Sequence, residues 1–364
     1  MKYIKKLIKN FHLSEKLLKK NFPSYNSIHW KKFNQNKIIN KKNIINFRRN
    51  QLSYGLDDQD ITNFEFFGKI SNLVGETFLL KNILKKNIGN SNKVFKFDKY
   101  YIDFNQLVFI YWFKQIKKYL LPDKVKIVCE IGGGFGQFSE IILNNKKNTK
   151  LIYIDLPLSN LLTSFYLKQN FPKKKFYFYE NYLKKNILRR EDINKYDIFI
   201  LPPNCNFEKD LKIDFFINMR SMMEMKKSTI DTYFNFIHKH ASRKSHFFNL
   251  NRFHKKIGNE IISIENFNYD NNWDVVISGQ AFNQDWIYYI LTRREFKKYK
   301  NNITNEKKII KKIGRNYRYN TNIIFVLFRN FITQLTSLVV KFAYFIFGDK
   351  TIKRIIDRLA LKKK

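Results

Sequence analysis

Apolar positions recur along this chain with two different periods, and the switch between them organises it. Near the start, "MKYIKKLIKNFHL" and "SEKLLKKNF" place apolar residues at helical spacing between lysines. That pattern predicts short amphipathic helices. No small-residue cleavage site follows the first of them, which argues against a cleavable signal. The stretches at 69–86 and 104–120 also read as helices, the second stopping at Pro122. From Lys124 the period changes. Short apolar runs at 125–131, 150–157, 174–180, 196–203, 213–218 and 245–252 have the length of strands. Between several of them lie helical runs at 137–145, 158–170 and 228–241. The runs at 273–279 and 285–293 suit a closing antiparallel pair. Strands alternating with helices predict an α/β fold with a mostly parallel sheet. The expected division is a mainly helical cap over 1–120, an α/β core over 121–298 and a basic amphipathic tail over 299–364.

The tail follows neither period cleanly. "NIIFVLFRNFITQLTSLVVKFAYFIFG" (322–348) is long and apolar, but Arg329, Asn330, Gln334 and Lys341 interrupt it. Its longest charge-free run, 330–340, is too short for a hydrocarbon core of roughly 30 Å. A basic helix of this kind can lie in a membrane interface against anionic head groups. It can equally pack on the protein's own core or on a second subunit.

Composition adds less than its extremes suggest. The formal net charge is +39, which fits nucleic acid, an anionic membrane surface or acidic glycans as partners. Yet the lysines are spread along the whole chain, and Lys, Asn, Ile, Phe and Tyr are all abundant. An AT-rich genome yields that mixture without selection on function. Hydrophobic residues at 44% are enough for a sizeable core. The two cysteines, Cys129 and Cys205, make no disulfide framework and have no metal-ligand spacing, as expected in a reducing compartment.

The most informative stretch is "CEIGGGFGQF" (129–138), a strand end running into four glycines and then a helix. Such a unit turns backbone N–H groups and a helix N-terminus toward a polar or anionic ligand. A dinucleotide fingerprint needs a third glycine where Gln137 stands. The pattern that fits is acidic-x-G-x-G-x-G, with Glu130, Gly132, Gly134 and Gly136. A carboxylate there would repel a pyrophosphate and welcome a cation. Asp155 ends the next strand, where a carboxylate can accept both hydroxyls of a ribose.

These features resemble the first motifs of class I methyltransferases that use S-adenosylmethionine. "VCEIGGGFGQFSEIIL", "YIDLPLSNLLTSFYL", "YDIFILPP", "DFFINMRSMMEM" and "HFFNLNR" are similar, in order, to the blocks of a family of bacterial sugar O-methyltransferases. "NFRRNQLSYGLDD" and "NIGN" look like N-terminal features of the same family, so the resemblance covers roughly residues 45–295. It implies a Rossmann-like sheet, mostly parallel with an antiparallel closing strand, a helical N-terminal cap and an amphipathic helical tail. It implies S-adenosylmethionine as cofactor, held by Glu130, Gly132, Gly133, Gly134, Gly136, Asp155, Leu156, Pro202 and Asn218. The implied acceptor is a sugar hydroxyl of a surface polysaccharide, a lipid-linked glycan or a nucleotide sugar.

Methyl transfer from a sulfonium is an in-line displacement, so alignment dominates, and a base helps a weakly acidic hydroxyl. In an open α/β sheet the site lies beyond the carboxyl ends of the strands. Glu224, Ser221 and His254 are therefore candidate catalytic residues, and Arg48, Arg220, Asn251 and Arg252 candidate acceptor ligands. Glu224 reads equally well as a helix-start carboxylate or the partner of a lysine. Arg48, Asp57 and Asp58 could reach over the site or lie in solvated loops. No Asp/His cluster has clear metal-ligand spacing, which leaves a divalent ion open. An RNA methyltransferase and a non-catalytic glycan-assembly protein with the same fold are the alternatives. No recognised RNA-binding module or N/D-P-P-Y-type motif supports the first. The tail suggests a location on the inner face of the cytoplasmic membrane.

Overall fold

A computed structural model describes residues 2–21, 33–34, 36–53, 63–282, 284–295 and 303–317. Its centre is an eight-stranded sheet: β1 (Ile127–Ile131), β2 (Lys150–Ile154), β3 (Phe176–Tyr177), β4 (Ile198–Leu201), β5 (Ile213–Met219), β6 (Ala241–Arg252), β7 (Trp273–Ala281) and β8 (Gln284–Arg294). The spatial order is β7-β8-β6-β5-β1-β2-β4-β3. The six strands from β6 to β3 are parallel neighbours. β8 is inserted antiparallel between β6 and β7, the expected closing pair.

Both sheet faces are covered, which is why its strands read as unbroken apolar runs. On β1, Cys129 and Ile131 join one core cluster while Val128 joins the other. Helices α1 (Lys2–Asn21), α2 (Phe104–Leu120), α3 (Gln137–Asn145), α4 (Pro157–Asn170), α5 (Lys227–His240) and α6 (Ile303–Gly314) surround the sheet. α1 packs on α4 and buries Leu7, Phe11 and Leu18. α2 begins at an Asp103 cap whose Oδ1 accepts from the Gln106 N–H at 3.0 Å.

Three local expectations come out differently. The helical run 69–86 is broken: helices cover Asn63–Val74 and Glu76–Asn82, with Gly75 at φ 87° between them. A left-handed residue there ends one helix before the next begins. The strand expected over 174–180 shrinks to Phe176–Tyr177. Asn181 Oδ1 accepts from the Phe178 N–H at 2.9 Å and closes a helical turn over Tyr179–Tyr182 instead. Two hairpins, Phe95–Phe97 with Tyr100–Ile102 and His254–Ile257 with Glu260–Ser263, were not expected. Among the described residues no helix is long and apolar enough to cross a membrane. The apolar tail from 318 onward, Asp57 and Asp58 all lie outside the described residues.

Candidate functional site

The chain reverses sharply after β1. Gly132 takes φ 71° and its N–H donates to the Ile154 carbonyl at 2.8 Å, tying the turn to the end of β2. A Cβ on Gly132 would stand 2.0 Å from Ser221 Oγ, so no side chain fits there. Gly134 (φ 70°) differs: apart from its chain neighbours, no atom of the described residues lies within 4 Å of where its Cβ would be. Its N–H donates to Asp155 Oδ2 at 3.1 Å, and its carbonyl accepts from Thr163 Oγ1 at 3.0 Å and Tyr153 Oη at 2.9 Å. The loop is thus fixed from below and open above.

That opening is a cleft of about 660 Å³ at the carboxyl ends of the central strands. At one end, Glu130 and Asp155 occupy the ends of adjacent strands. Glu130 is 1% exposed and accepts a hydrogen bond from the Ser139 hydroxyl. Burial raises its pKa to about 7; the Ser139 hydrogen bond opposes this, and the Asp155 charge adds to the rise. Burial likewise raises Asp155 to about 6, against the pull of the Leu156 and Gly134 N–H groups. Both carboxylates stand to gain from a cationic ligand. Gln137, the residue that breaks the dinucleotide pattern, opens α3 against the same cleft. It is 2% exposed, and its Nε2 has no hydrogen-bond partner among the described residues.

The far wall comes from the turn after β5. Arg220 sits at φ 64°, and its N–H donates to the Leu250 carbonyl at 2.7 Å. Arg220, Ser221 and Glu224 line the cleft with Arg252 and Lys255. Glu224 Oε1 receives Lys255 Nζ at 2.6 Å, so the lysine reading of this carboxylate holds within the cleft itself. Ser221 Oγ accepts from Asn218 Nδ2 at 2.6 Å and donates to the Ile131 carbonyl at 3.3 Å, which pins this turn to the glycine loop.

Gly132, Gly133, Gly134, Leu156 and Arg48 also line the cleft. Arg48 is 4% exposed, ion-paired with Asp103, and stands 5.3 Å from the Phe135 ring centroid. Gly136 caps α3 behind the loop, where a Cβ would meet Thr163 at 2.9 Å. Four expected residues are placed elsewhere. Asn218 and Asn251 are fully buried and face each other, not the cleft. Asn251 Nδ2 donates to Asn218 Oδ1 at 2.9 Å, and their side-chain oxygens accept from the Met222 and Met223 N–H groups at 3.2 and 3.0 Å. These amides build the turn that carries Arg220 to Glu224 and spend all their N–H donors within the protein. Pro202 lines a separate small pocket beneath α1 with Leu7 and Phe11. His254 is also away from the cleft, with Nδ1 2.7 Å from Ser263 Oγ and Nε2 3.1 Å from the Gly314 carbonyl. It joins a hairpin to α6.

Sequence reasoning missed Lys255, which lies on the unforeseen hairpin, and Gln137, visible only as a mismatch. Among the described residues no three His, Cys, Asp or Glu side chains gather into a metal-ligating group.

The mostly parallel sheet, with one antiparallel strand inserted beside the edge, is Rossmann-like. No family model matches the chain, and no curated protein does. Similar solved structures include the mitomycin 7-O-methyltransferase MmcR, at 11% identity and TM-score 0.32, over 52% of this chain and 57% of that one. Here the match spans little more than half of the relative's length. A SAM dependent methyltransferase from Aquifex aeolicus is similar over 53% of this chain and 94% of that one, at 12% identity and TM-score 0.33. Coclaurine N-methyltransferase, bound to N-methylheliamine and SAH, is similar over 68% and 91%, at 12% identity and TM-score 0.35. Likenesses this distant bear on neither activity nor substrate.

Proposed function

We propose that this chain is an S-adenosylmethionine-dependent O-methyltransferase acting on a sugar hydroxyl. One observation carries the cofactor: two buried carboxylates at adjacent strand ends flank a glycine turn with open space above Gly134. A pyrophosphate would meet two carboxylates there, whereas a ligand with an ammonium, a sulfonium and a ribose diol suits them. The residues present fit such a ligand, because Gln137, which lines the cleft, holds a buried donor without a partner among the described residues and Gly134 leaves room. Glu130 and Gln137 would serve the amino-acid end and Asp155 the ribose. When bound, the cofactor supplies an electrophilic methyl group on a sulfonium.

The protein's own work is alignment and proton handling. Glu224, oriented by Lys255, is the group in the cleft suited to take or orient the acceptor hydroxyl's proton. The sugar as acceptor is supported by the sequence blocks described above. The same holds for the tail: its basic, apolar spacing supports contact with an anionic membrane surface on the cytoplasmic side.

Gly134→Arg tests the cofactor step by putting a long side chain into the open space at a left-handed position. Calorimetric titration with S-adenosylmethionine should find the wild type binding and the variant not. Equal affinity in both, or none in a folded wild type, would overturn the assignment.

A further inference from the structure

We propose that the acceptor carries an anionic group, a phosphate or a carboxylate, received by Arg252 together with Arg220; this rests on the methyltransferase reading of the cleft. The argument is one of pairing, because cations are common throughout this chain and their number in the cleft decides nothing. Arg48 is neutralised by Asp103 and Lys255 by Glu224. Arg252 forms no ion pair with a described residue, and its Nε is buried without a hydrogen-bond partner among them. A guanidinium donor withdrawn from water into a ligand cleft is a donor waiting for an acceptor.

Its position favours the methyl acceptor over the cofactor. Arg252 ends β6, and Arg220 directly follows β5, the parallel neighbour, with Met219 in register with Leu250. Two guanidinium groups at adjacent strand ends suit the forked recognition of phosphate or carboxylate. The carboxylates belong to other strands: Glu130 lies one residue before the end of β1, at Ile131, and Asp155 directly follows β2. β6 lies two strands from β1, roughly 10 Å away at ordinary sheet spacing. Glu130 and Asp155 thus mark one side of the cleft and Arg220 and Arg252 another, while Arg48, Arg49, Lys93 and the lysine-paired Glu224 also line it. A cationic cofactor and an anionic acceptor would fill complementary halves.

The test titrates the full chain, with and without S-adenosylhomocysteine, using glucose 1-phosphate, glucuronate and neutral methyl glucoside. At least one charged probe should bind about tenfold or more tightly than methyl glucoside. Whichever charged probe binds better identifies the anion. Arg252→Met should remove that preference, and Arg252→Lys should restore part of it, with S-adenosylhomocysteine affinity and thermal midpoint unchanged in both. Equal binding of charged and neutral probes, no saturable binding of either charged probe, or a preference that survives Arg252→Met overturns the proposal. So does a loss of S-adenosylhomocysteine affinity in Arg252→Met, which would give Arg252 to the cofactor's own carboxylate. If the wild type binds a charged sugar through Arg252 but never S-adenosylhomocysteine, the methyltransferase reading falls and the anion site stands.

Discussion

Gly132→Ala tests how tightly the glycine turn and the Ser221 turn are fitted to each other. The new Cβ would lie 2.0 Å from Ser221 Oγ and 2.5 Å from Ser221 Cβ, and the backbone is left-handed at φ 71°. The left-handed conformation costs an alanine about 1–2 kcal/mol. Pushing Ser221 aside breaks its 2.6 Å hydrogen bond with Asn218, worth about 0.5–1.5 kcal/mol, and overpacking adds about 1–3 kcal/mol. The sum, about 2.5–6.5 kcal/mol, is a large part of the stability of an ordinary domain. Urea unfolding monitored by tryptophan fluorescence measures it. Ser221→Gly in the same chain removes the obstructing side chain but not the left-handed backbone. The double variant should therefore be more stable than Gly132→Ala alone, with a coupling of at least about 1 kcal/mol. Additivity of the two changes within about 0.3 kcal/mol, or a Gly132→Ala protein as stable as wild type, would refute the fitted-turn account.

Other expectations follow from the same geometry. Burial holds Glu130 and Glu140 at about 7, against an ordinary value of 4.5, so the folded chain keeps protons that the unfolded chain loses. Stability should accordingly be fully present below about pH 4.5 and fall as pH rises toward 7, by up to about 3 kcal/mol per group. Glu140→Gln, which leaves the Tyr166 hydroxyl an amide partner, should flatten that slope; an unchanged slope contradicts it. Glu224→Gln should lower kcat by about 10²–10⁴ if the carboxylate handles the acceptor's proton. Glu224→Gln with Lys255→Met relieves the stranded ammonium and should recover stability without turnover, so recovered turnover would remove Glu224 from the chemistry. Liposome flotation with anionic lipid should retain the full chain and lose one truncated before residue 320. Equal flotation of both counts against a membrane-binding tail.

Most of the sheet was legible because its parallel strands are buried on both faces and so appear as apolar runs between helical ones. The two carboxylates were legible because Glu130 stands one residue before the end of such a run and Asp155 directly after the apolar part of the next. The same double burial hid the roles of Asn218 and Asn251. On a strand covered on both sides, alternation gives no inside or outside, and a polar residue can face either a ligand or another amide. Asn251 turns inward to Asn218, whereas Arg252, one residue later, reaches the cleft. Lys255 needed a hairpin whose Gly258-Asn259 turn is a recognisable two-residue signal but whose flanking strands are only four residues long, and the Gly75 break was masked by apolar residues that kept helical spacing across it.

The docking of α1 also sets a timetable for synthesis. Tyr3 Oη donates to the Ser164 carbonyl at 3.0 Å, and Asn10 Oδ1 accepts from the Glu180 N–H at 2.9 Å. Neither partner exists until some 150 or more further residues have been made, roughly 10–30 s at ordinary elongation rates. Through that interval Leu7, Phe11 and Leu18 have no surface to bury against, and the helix is a lysine-studded apolar stripe beside the ribosome. A nascent chain of this kind invites a chaperone or a nearby bilayer well before its own α4 is ready to receive it.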